Sequence, residues 1–205
     1  ELRRRYGFGL TPIREALVRL AAEGLIVAEP NRSVQIRDIS LEELNDLMLA
    51  RQVLEADLLP RSIAAGDELW ENRVVSTLHL LSRTHLPASG EDPDYSLWED
   101  RHRAFHLALV SACGSSWLLH FWGTLVDHSE RYRKLRFSSG KQSFLDPQVV
   151  QDEHNRIADA AIRRDVEETC SLMKMHLERT RQAAEKILVE EGYGHRNAKA
   201  QPETA

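Results

Sequence analysis

Apolar positions in the first 37 residues predict helices followed by a β-hairpin. Apolar residues between 13 and 21 recur at the spacing of one helix face. Thr11 suits the N-cap of this helix and Pro12 its first helical position, and a glycine follows as its natural end. Two β-prone runs, 25–28 and 33–36, flank a short turn and complete the hairpin.

From residue 38 onwards the pattern predicts only helices. Ser40, with a glutamate three residues later, forms a capping box, and apolar residues then recur every three or four positions. No run in this region alternates as a strand does, so the pattern predicts an all-helical bundle. The predicted helices run from Ser40 through Leu58, from Asp67 to Leu86, from about Asp94 through Leu109, and over 116–137, 148–163 and 165 to about 190.

Composition places the chain among proteins with a buried core and without a membrane span. It has 205 residues, 42% hydrophobic and 29% charged, and no apolar run reaches the length of a transmembrane helix. The first residues lack the apolar core of a signal peptide. The two cysteines, Cys113 and Cys170, have no metal-binding spacing and are predicted to be reduced thiols. These features predict a cytoplasmic protein.

Charge is divided unevenly between the two regions. The net charge is −5, yet residues 1–37 carry seven basic and four acidic side chains, and the remainder carries 20 basic and 28 acidic ones. A basic region attached to an acidic one is typical of a chain in which one small domain contacts phosphate.

The order of the first elements is that of a winged helix-turn-helix. A short helix that ends at Gly7 is followed by a second helix and then by the hairpin. In this fold the second helix lies in the major groove of DNA and the wing reaches phosphate or the minor groove. A small αβ extension that does not touch DNA would share the pattern, and both alternatives stay open at this level.

The residues of this helix and turn resemble the recognition helix and wing of GntR-family transcriptional regulators. The resemblance rests on LTPIREALVRLAAEGLI at residues 10–26 and on PNR at residues 30–32. It implies that Thr11 and Arg14 contact DNA and that Asn31 and Arg32 lie at the wing tip. Leu10 stands where the family often has an arginine, and Ser33 where it commonly has a glycine.

The resemblance also implies a domain boundary near residue 38 and a further helix before Glu1. Residues 1–38 would therefore be part of a winged helix-turn-helix domain.

Four histidines fall on predicted helices in the second region. His102 and His106 share one helix face, one turn apart, while His154 and His176 lie on the last two helices. A single histidine on an apolar face is usually a hydrogen-bonded core residue. Four that meet inside a bundle would suit a metal ion, because neutral imidazole binds zinc, nickel, copper and iron.

The same histidines resemble the metal site of the FCD effector domain found in the FadR branch of the GntR family. The Phe105-His106 pair, the Glu153-His154 pair and His176 match the positions of that site. His102 stands where many members have aspartate, so the resemblance implies a divalent transition metal such as zinc or nickel rather than manganese or magnesium.

The run HRAFH at residues 102–106, followed by CGS at 113–115, is most similar to carbon-starvation-induced (CsiR-like) repressors. The effector domain would span residues 39–190. Its polar tail, residues 191–205, is predicted to be disordered.

In this family, the resemblance implies, the metal helps to hold a small organic acid in the bundle. Arginine grips a carboxylate in a bidentate manner. Arg51 matches a position at which members often place an arginine toward the cavity, and Arg131 and Arg133 are weaker candidates. Each of these arginines would otherwise be a solvated charge or part of a salt bridge.

Three functions remain in view at this level. The first is a homodimeric transcriptional regulator, a repressor, that binds operator DNA and responds to a small organic acid. The second is a metal-dependent hydrolase or other metalloenzyme on a helical bundle, although no nucleophile motif or carboxylate pair accompanies the histidines. The third, a helical interaction module, leaves the recognition helix unexplained. The sequence favours the first and predicts no enzymatic activity.

Overall fold

The structure is a computed structural model, and it describes residues 2–22, 24–27, 34–87, 92–138 and 146–192. The chain divides into two compact units, Glu1–Ile39 and Ser40–Ala205. The boundary predicted from the sequence, at residue 38, lies one residue before the end of the first unit. The predicted wing-tip residues Asn31 and Arg32, and the predicted disordered tail from residue 193 onwards, lie outside the described residues.

The first unit has the predicted order of helix, helix and hairpin. Its elements are α1 (Leu2–Tyr6), α2 (Leu10–Ala22), β1 (Ile26–Val27) and β2 (Gln35–Ile36). The strands pair antiparallel, with Ile26 opposite Ile36. Gly24 ends α2 because it adopts a φ of 71°, and the next residue, Leu25, donates its N–H to the carbonyl of Leu20.

Helix α2 begins at Leu10, so the prediction that Thr11 is its N-cap is wrong. Thr11 lies inside the first turn, one residue after the helix starts. The backbone N–H groups in the first turn of a helix have no intrahelical acceptor. Pro12 has no backbone N–H, so its place in the first turn costs no hydrogen bond.

The second unit is a bundle of helices, and its described residues contain no strand. Aspartate and serine side chains start most of the helices: Ser40, Asp67, Asp146 and Asp165 each accept a hydrogen bond from a backbone N–H of the first turn. The helices are α3 (Leu41–Ala65), α4 (Glu68–Ser82), α5 (Tyr95–Val110), α6 (Ser116–Ser138), α7 (Pro147–Ile162) and α8 (Val166–Glu190).

Helix α4 ends four residues before the predicted Leu86. Arg101 on α5 donates to the carbonyl oxygen of Leu80 and to Oγ1 of Thr84, and Thr84 Oγ1 also donates to the Leu80 carbonyl. Side chains therefore satisfy the carbonyl that a longer helix would have used, and Pro87 disfavours helical backbone at the residue before it.

Helix α3 is central to the bundle, because α5, α6 and α8 all pack against it. The core contains Leu58 from α3, Phe105 from α5, Ile157 from α7 and Ile187 from α8, all fully buried. None of the described helices is both long enough and apolar enough to cross a membrane.

Candidate functional site

Helix α5 places two histidines in the interior of the bundle. His102 and His106 are separated by one turn, and their ring centroids lie 4.5 Å apart. Phe105 and Leu109 on the same helix are fully buried and hold this face against the core. The amphipathic pattern of α5 thus places both imidazoles in the interior of the bundle.

Helices α7 and α8 bring His154 and His176 to the same place. Their ring centroids lie 4.8 Å apart, and His106 lies 5.4 Å from His154 and 5.1 Å from His176. All four side chains are buried, and one ligand atom from each lies within 4.8 Å of the others. The structure therefore brings together the four histidines that the sequence singles out, as predicted. We call this group the histidine cluster.

Several ring nitrogens of the histidine cluster lack a hydrogen-bond partner among the described residues. They are both nitrogens of His106, Nδ1 of His102 and Nε2 of His154. A buried polar atom without a partner is costly, so groups of this kind usually bind water or an ion. The donor set therefore fits a metal ion that prefers imidazole nitrogen.

His176 is held by a carboxylate behind it. Its Nδ1 lies 3.0 Å from Oε2 of Glu153, and Arg179 contacts the other oxygen of Glu153 at 2.5 Å. A carboxylate in this position orients a ligating histidine and leaves Nε2 for the metal. Of these two neighbouring residues, His154 is itself a candidate ligand, and Glu153 orients another candidate ligand, His176.

Burial favours the neutral form of His102, His106 and His154. Loss of solvent lowers the pKa of His102, His106 and His154 well below the usual value, and the neighbouring rings lower the pKa further. The positive charges of Arg51 and Arg133 act in the same direction on the pKa of His106, after burial and the other histidines. Neutral imidazole is the form that binds metals.

The metal-free chain is expected to lose stability as the pH falls below about 6.5, the ordinary histidine value. The unfolded chain then binds protons that the buried His102, His106 and His154 do not bind, so the free energy of unfolding falls with pH. This contribution is complete above about pH 7, and each histidine accounts for up to about 1.4 kcal/mol per pH unit below it. Urea unfolding in chelator between pH 5 and 8 measures the slope.

The matched variants are His154→Phe and His120→Phe. His154→Phe removes one of the three buried histidines and should reduce the dependence of the unfolding free energy on pH. His120→Phe removes an exposed histidine and should leave that dependence unchanged. An unchanged slope in His154→Phe would mean that the buried ring is protonated in the folded chain.

Two buried ion pairs lie near the histidine cluster. Arg51 donates to Oε1 of Glu55 through Nη2 at 2.7 Å, and the indole of Trp122 donates to the same oxygen at 3.2 Å. Arg133 pairs with Glu99 through two of its nitrogens. Two of the three predicted effector arginines, Arg51 and Arg133, are therefore buried, and each is already matched by a carboxylate.

Arg131 lies in a different environment from Arg51 and Arg133. Its Nη2 contacts both oxygens of Glu43 at 2.8 and 2.9 Å, and Tyr132 donates to Glu43 at 2.6 Å. Glu43 thus ties α6 to the first turn of α3, while Oγ of Ser40 accepts from the Glu43 N–H. The capping box is only half formed, because the carboxylate serves this tertiary contact.

The space beside the histidine cluster is small. A cavity lined by His102, His176 and Arg133 has a volume of about 10 Å³. This volume is about that of one water molecule. The described arrangement of the helices therefore leaves no room for an organic acid in that cavity.

In the first unit, the predicted recognition helix presents an open face. Thr11 and Arg14 are exposed on α2, and Arg14, Val18 and Arg19 line one open surface. No residue of α2 among those described is buried. Among the described residues, Arg14 and Arg19 therefore lie with Glu15 on an exposed face of α2.

Comparison with known proteins identifies both regions. Residues 1–36 match the family described as bacterial regulatory proteins, gntR family, and residues 46–179 match the FCD domain. The chain is 36% identical over 180 residues to the HTH-type transcriptional regulator BphR of Paraburkholderia xenovorans, covering 87% of this chain and 71% of that protein. It is 35% identical to the HTH-type transcriptional repressor GlaR of Escherichia coli K12, covering 84% and 78%.

Solved structures share the fold. A GntR-family transcriptional regulator from Pseudomonas syringae has a TM-score of 0.63 at 24% identity, covering 93% of this chain and 76% of that one. McbR/YncC of Escherichia coli has a TM-score of 0.71 at 16% identity, covering 93% and 85%. The families and relatives are transcriptional regulators, so the metalloenzyme alternative finds no support among them.

Proposed function

This chain is a member of the GntR family of regulators and carries an FCD domain, and from this premise we propose that it is a metal-dependent repressor that answers to a small organic acid. The histidine cluster is the observation that carries the proposal. Four buried imidazoles from three helices converge, and several of their nitrogens have no partner among the described residues.

The proposed metal is zinc or nickel, held by His102, His106, His154 and His176. Four neutral imidazoles supply nitrogen without negative charge, and zinc and nickel accept such a set better than manganese or magnesium does. Once bound, the ion would offer a Lewis-acidic centre to a carboxylate oxygen. Glu153 orients His176 for this role through the contact at Nδ1.

The proposed effector residues include Arg51, Arg133 and Arg131. Arg133 lines the small cavity with His102 and His176, and Arg51 is buried on α3, which packs against α5 and α8. Both positions support a place beside the metal. A carboxylate that binds either one in a bidentate manner has to compete with Glu55 or Glu99. For Arg131 the competitor is Glu43. Arg131 is the weakest of the three candidates, because its contact with Glu43 ties α6 to the first turn of α3.

The proposed DNA contacts are Thr11 and Arg14 on α2 together with Asn31 and Arg32. We further propose that the regulator acts as a homodimer, since helix-turn-helix proteins read paired half-sites. Two aromatic side chains on α6, Trp117 and Phe121, are 71% and 52% exposed, and exposed aromatic patches commonly mark interfaces. The acid would control DNA binding if it favours one arrangement of the two DNA-binding units of the dimer over another.

The purified chain is expected to contain about one zinc or nickel ion per chain, because a single four-ligand site requires one. At free zinc about 100 times the Kd, binding should stabilise the fold by about 2.7 kcal/mol. For a chain of this size that corresponds to an increase in Tm of about 5–10 °C. Elemental analysis and thermal unfolding after chelation and zinc addition measure both quantities.

A chelated chain that neither regains metal nor changes its Tm would contradict the proposed metal centre. The control is the variant His85→Ala, which removes an exposed histidine outside the cluster and should keep both the metal and the shift in Tm.

A further inference from the structure

A surface cleft lies between the end of α4 and the first half of α7. It has a volume of about 400 Å³, and Arg83, His85 and Gln151 line it. His154 and Trp98 also line this cleft, and Trp98 stacks on His102 with ring centroids 4.7 Å apart. The cleft therefore connects the protein surface to one member of the histidine cluster. We call it the Arg83 cleft.

The Arg83 cleft has the chemistry of an anion site. The guanidinium of Arg83 has no hydrogen bond or ion pair with any described residue, and the described residues that line the cleft include no aspartate or glutamate. Arg51, Arg131 and Arg133 are each matched by a glutamate instead. An acid that meets Arg83 displaces only water, whereas at those three positions it must replace an internal carboxylate.

The volumes of the two cavities also favour the Arg83 cleft as the acid site. The cavity beside His102 and Arg133 holds about 10 Å³, while the Arg83 cleft holds about 400 Å³. Only the second volume is within the range of small-molecule sites. A buried nitrogen of His154, Nε2, also lacks a partner among the described residues.

We propose that the Arg83 cleft binds the effector acid, with one carboxylate on Arg83 and a second oxygen-bearing end directed toward the metal at the histidine cluster. This assignment rests on the proposed metal centre. It differs from the arginines chosen by sequence, because Arg83 gave no signal there. Position 83 falls at the end of α4, where the spacing predicts a continuing helix.

A second cleft supplies the matched control. It lies between α7 and α8, has a volume of about 190 Å³ and is lined by Arg156 together with Asp152 and Glu153. Arg156 is exposed and, like Arg83, has no partner among the described side chains. The carboxylates of Asp152 and Glu153 balance the charges of Arg156 and Arg179 in this cleft, so it offers an acid no net positive charge. Arg156→Ala removes the same charge at a site that should not bind the effector.

The test uses the full chain loaded with cobalt, whose visible absorption reports metal content. Succinate and butyrate are titrated by calorimetry, because the two acids have the same number of carbons and differ by one carboxylate. We expect succinate to bind more tightly than butyrate, and Arg83→Ala to reduce this preference about tenfold. Cobalt content should stay unchanged, and Arg156→Ala should behave as the parent chain does.

Three results would overturn the assignment. The first is an unaltered succinate preference in Arg83→Ala; if Arg51→Lys loses the preference at the same time, the acid lies in the interior. The second is a parent chain that loads cobalt but does not prefer succinate, which overturns the Arg83 assignment and leaves the metal centre standing. The third is failure to take up cobalt, which overturns the metal centre as well.

Discussion

His106→Ala is expected to weaken zinc binding by about 100- to 1,000-fold while the helical fold persists. A structural zinc site is worth about 10–16 kcal/mol, so one of four ligands accounts for about 3–4 kcal/mol. His106 is the member of the cluster with both ring nitrogens unpartnered among the described residues, so its removal takes away a ligand and breaks no hydrogen bond that the structure describes. Competition with a colorimetric chelator measures the affinity, and circular dichroism measures the helix content.

The matched control is His120→Ala, because His120 is an exposed histidine on α6 outside the cluster. It should bind zinc as the parent chain does. If His106→Ala and His120→Ala have equal zinc affinity, the ion does not use His106, and the four-histidine site is wrong.

The surroundings of the histidine cluster would couple the proposed metal to the proposed acid. Arg51 and Arg133 are neutralised by Glu55 and Glu99, and burial lowers the pKa of His102, His106 and His154, which favours their neutral form. A divalent ion would therefore bring a net positive charge into the interior, where an uncompensated charge is costly. A bound carboxylate offsets part of that charge. We expect the metal and the acid to increase each other's affinity by the same factor.

The sequence was sufficient for much of the fold because the signals were local. Ser40 and Asp67 begin their helices as side-chain caps, and residues such as His102 and His106 share a face by helical spacing alone. The meeting of His154 with them was also predicted, although the periodicity showed only that each lies on an apolar helix face. The resemblance to the FCD domain supplied the convergence.

Long-range polar partners could not be predicted in the same way. Glu99 and Arg133 are 34 residues apart, and Glu43 and Arg131 are 88 apart, so nothing local connects them. The pair of Arg51 with Glu55 has the i,i+4 spacing of a helix salt bridge and was the one local signal available. The same limit applies to Arg83, whose proposed role depends on the helix that packs beside it.

Arg14→Ala is expected to weaken binding of the intact regulator to its own promoter DNA by about 10- to 100-fold. Arg14 is exposed in the second turn of α2, where a recognition helix contacts base edges. One bidentate arginine contact is worth about 1–3 kcal/mol of discrimination between bases, so preference over a scrambled fragment should be lost as well. Fluorescence anisotropy at several salt concentrations separates this loss from loss of a phosphate contact. Removal of a phosphate contact lowers the affinity for both fragments and reduces the dependence of affinity on salt.

The control Arg61→Ala removes the same charge from an exposed residue of the second unit and should leave binding unchanged. Equal loss for promoter and scrambled DNA would assign Arg14 to the backbone, and no loss at all would show that α2 is not the recognition helix.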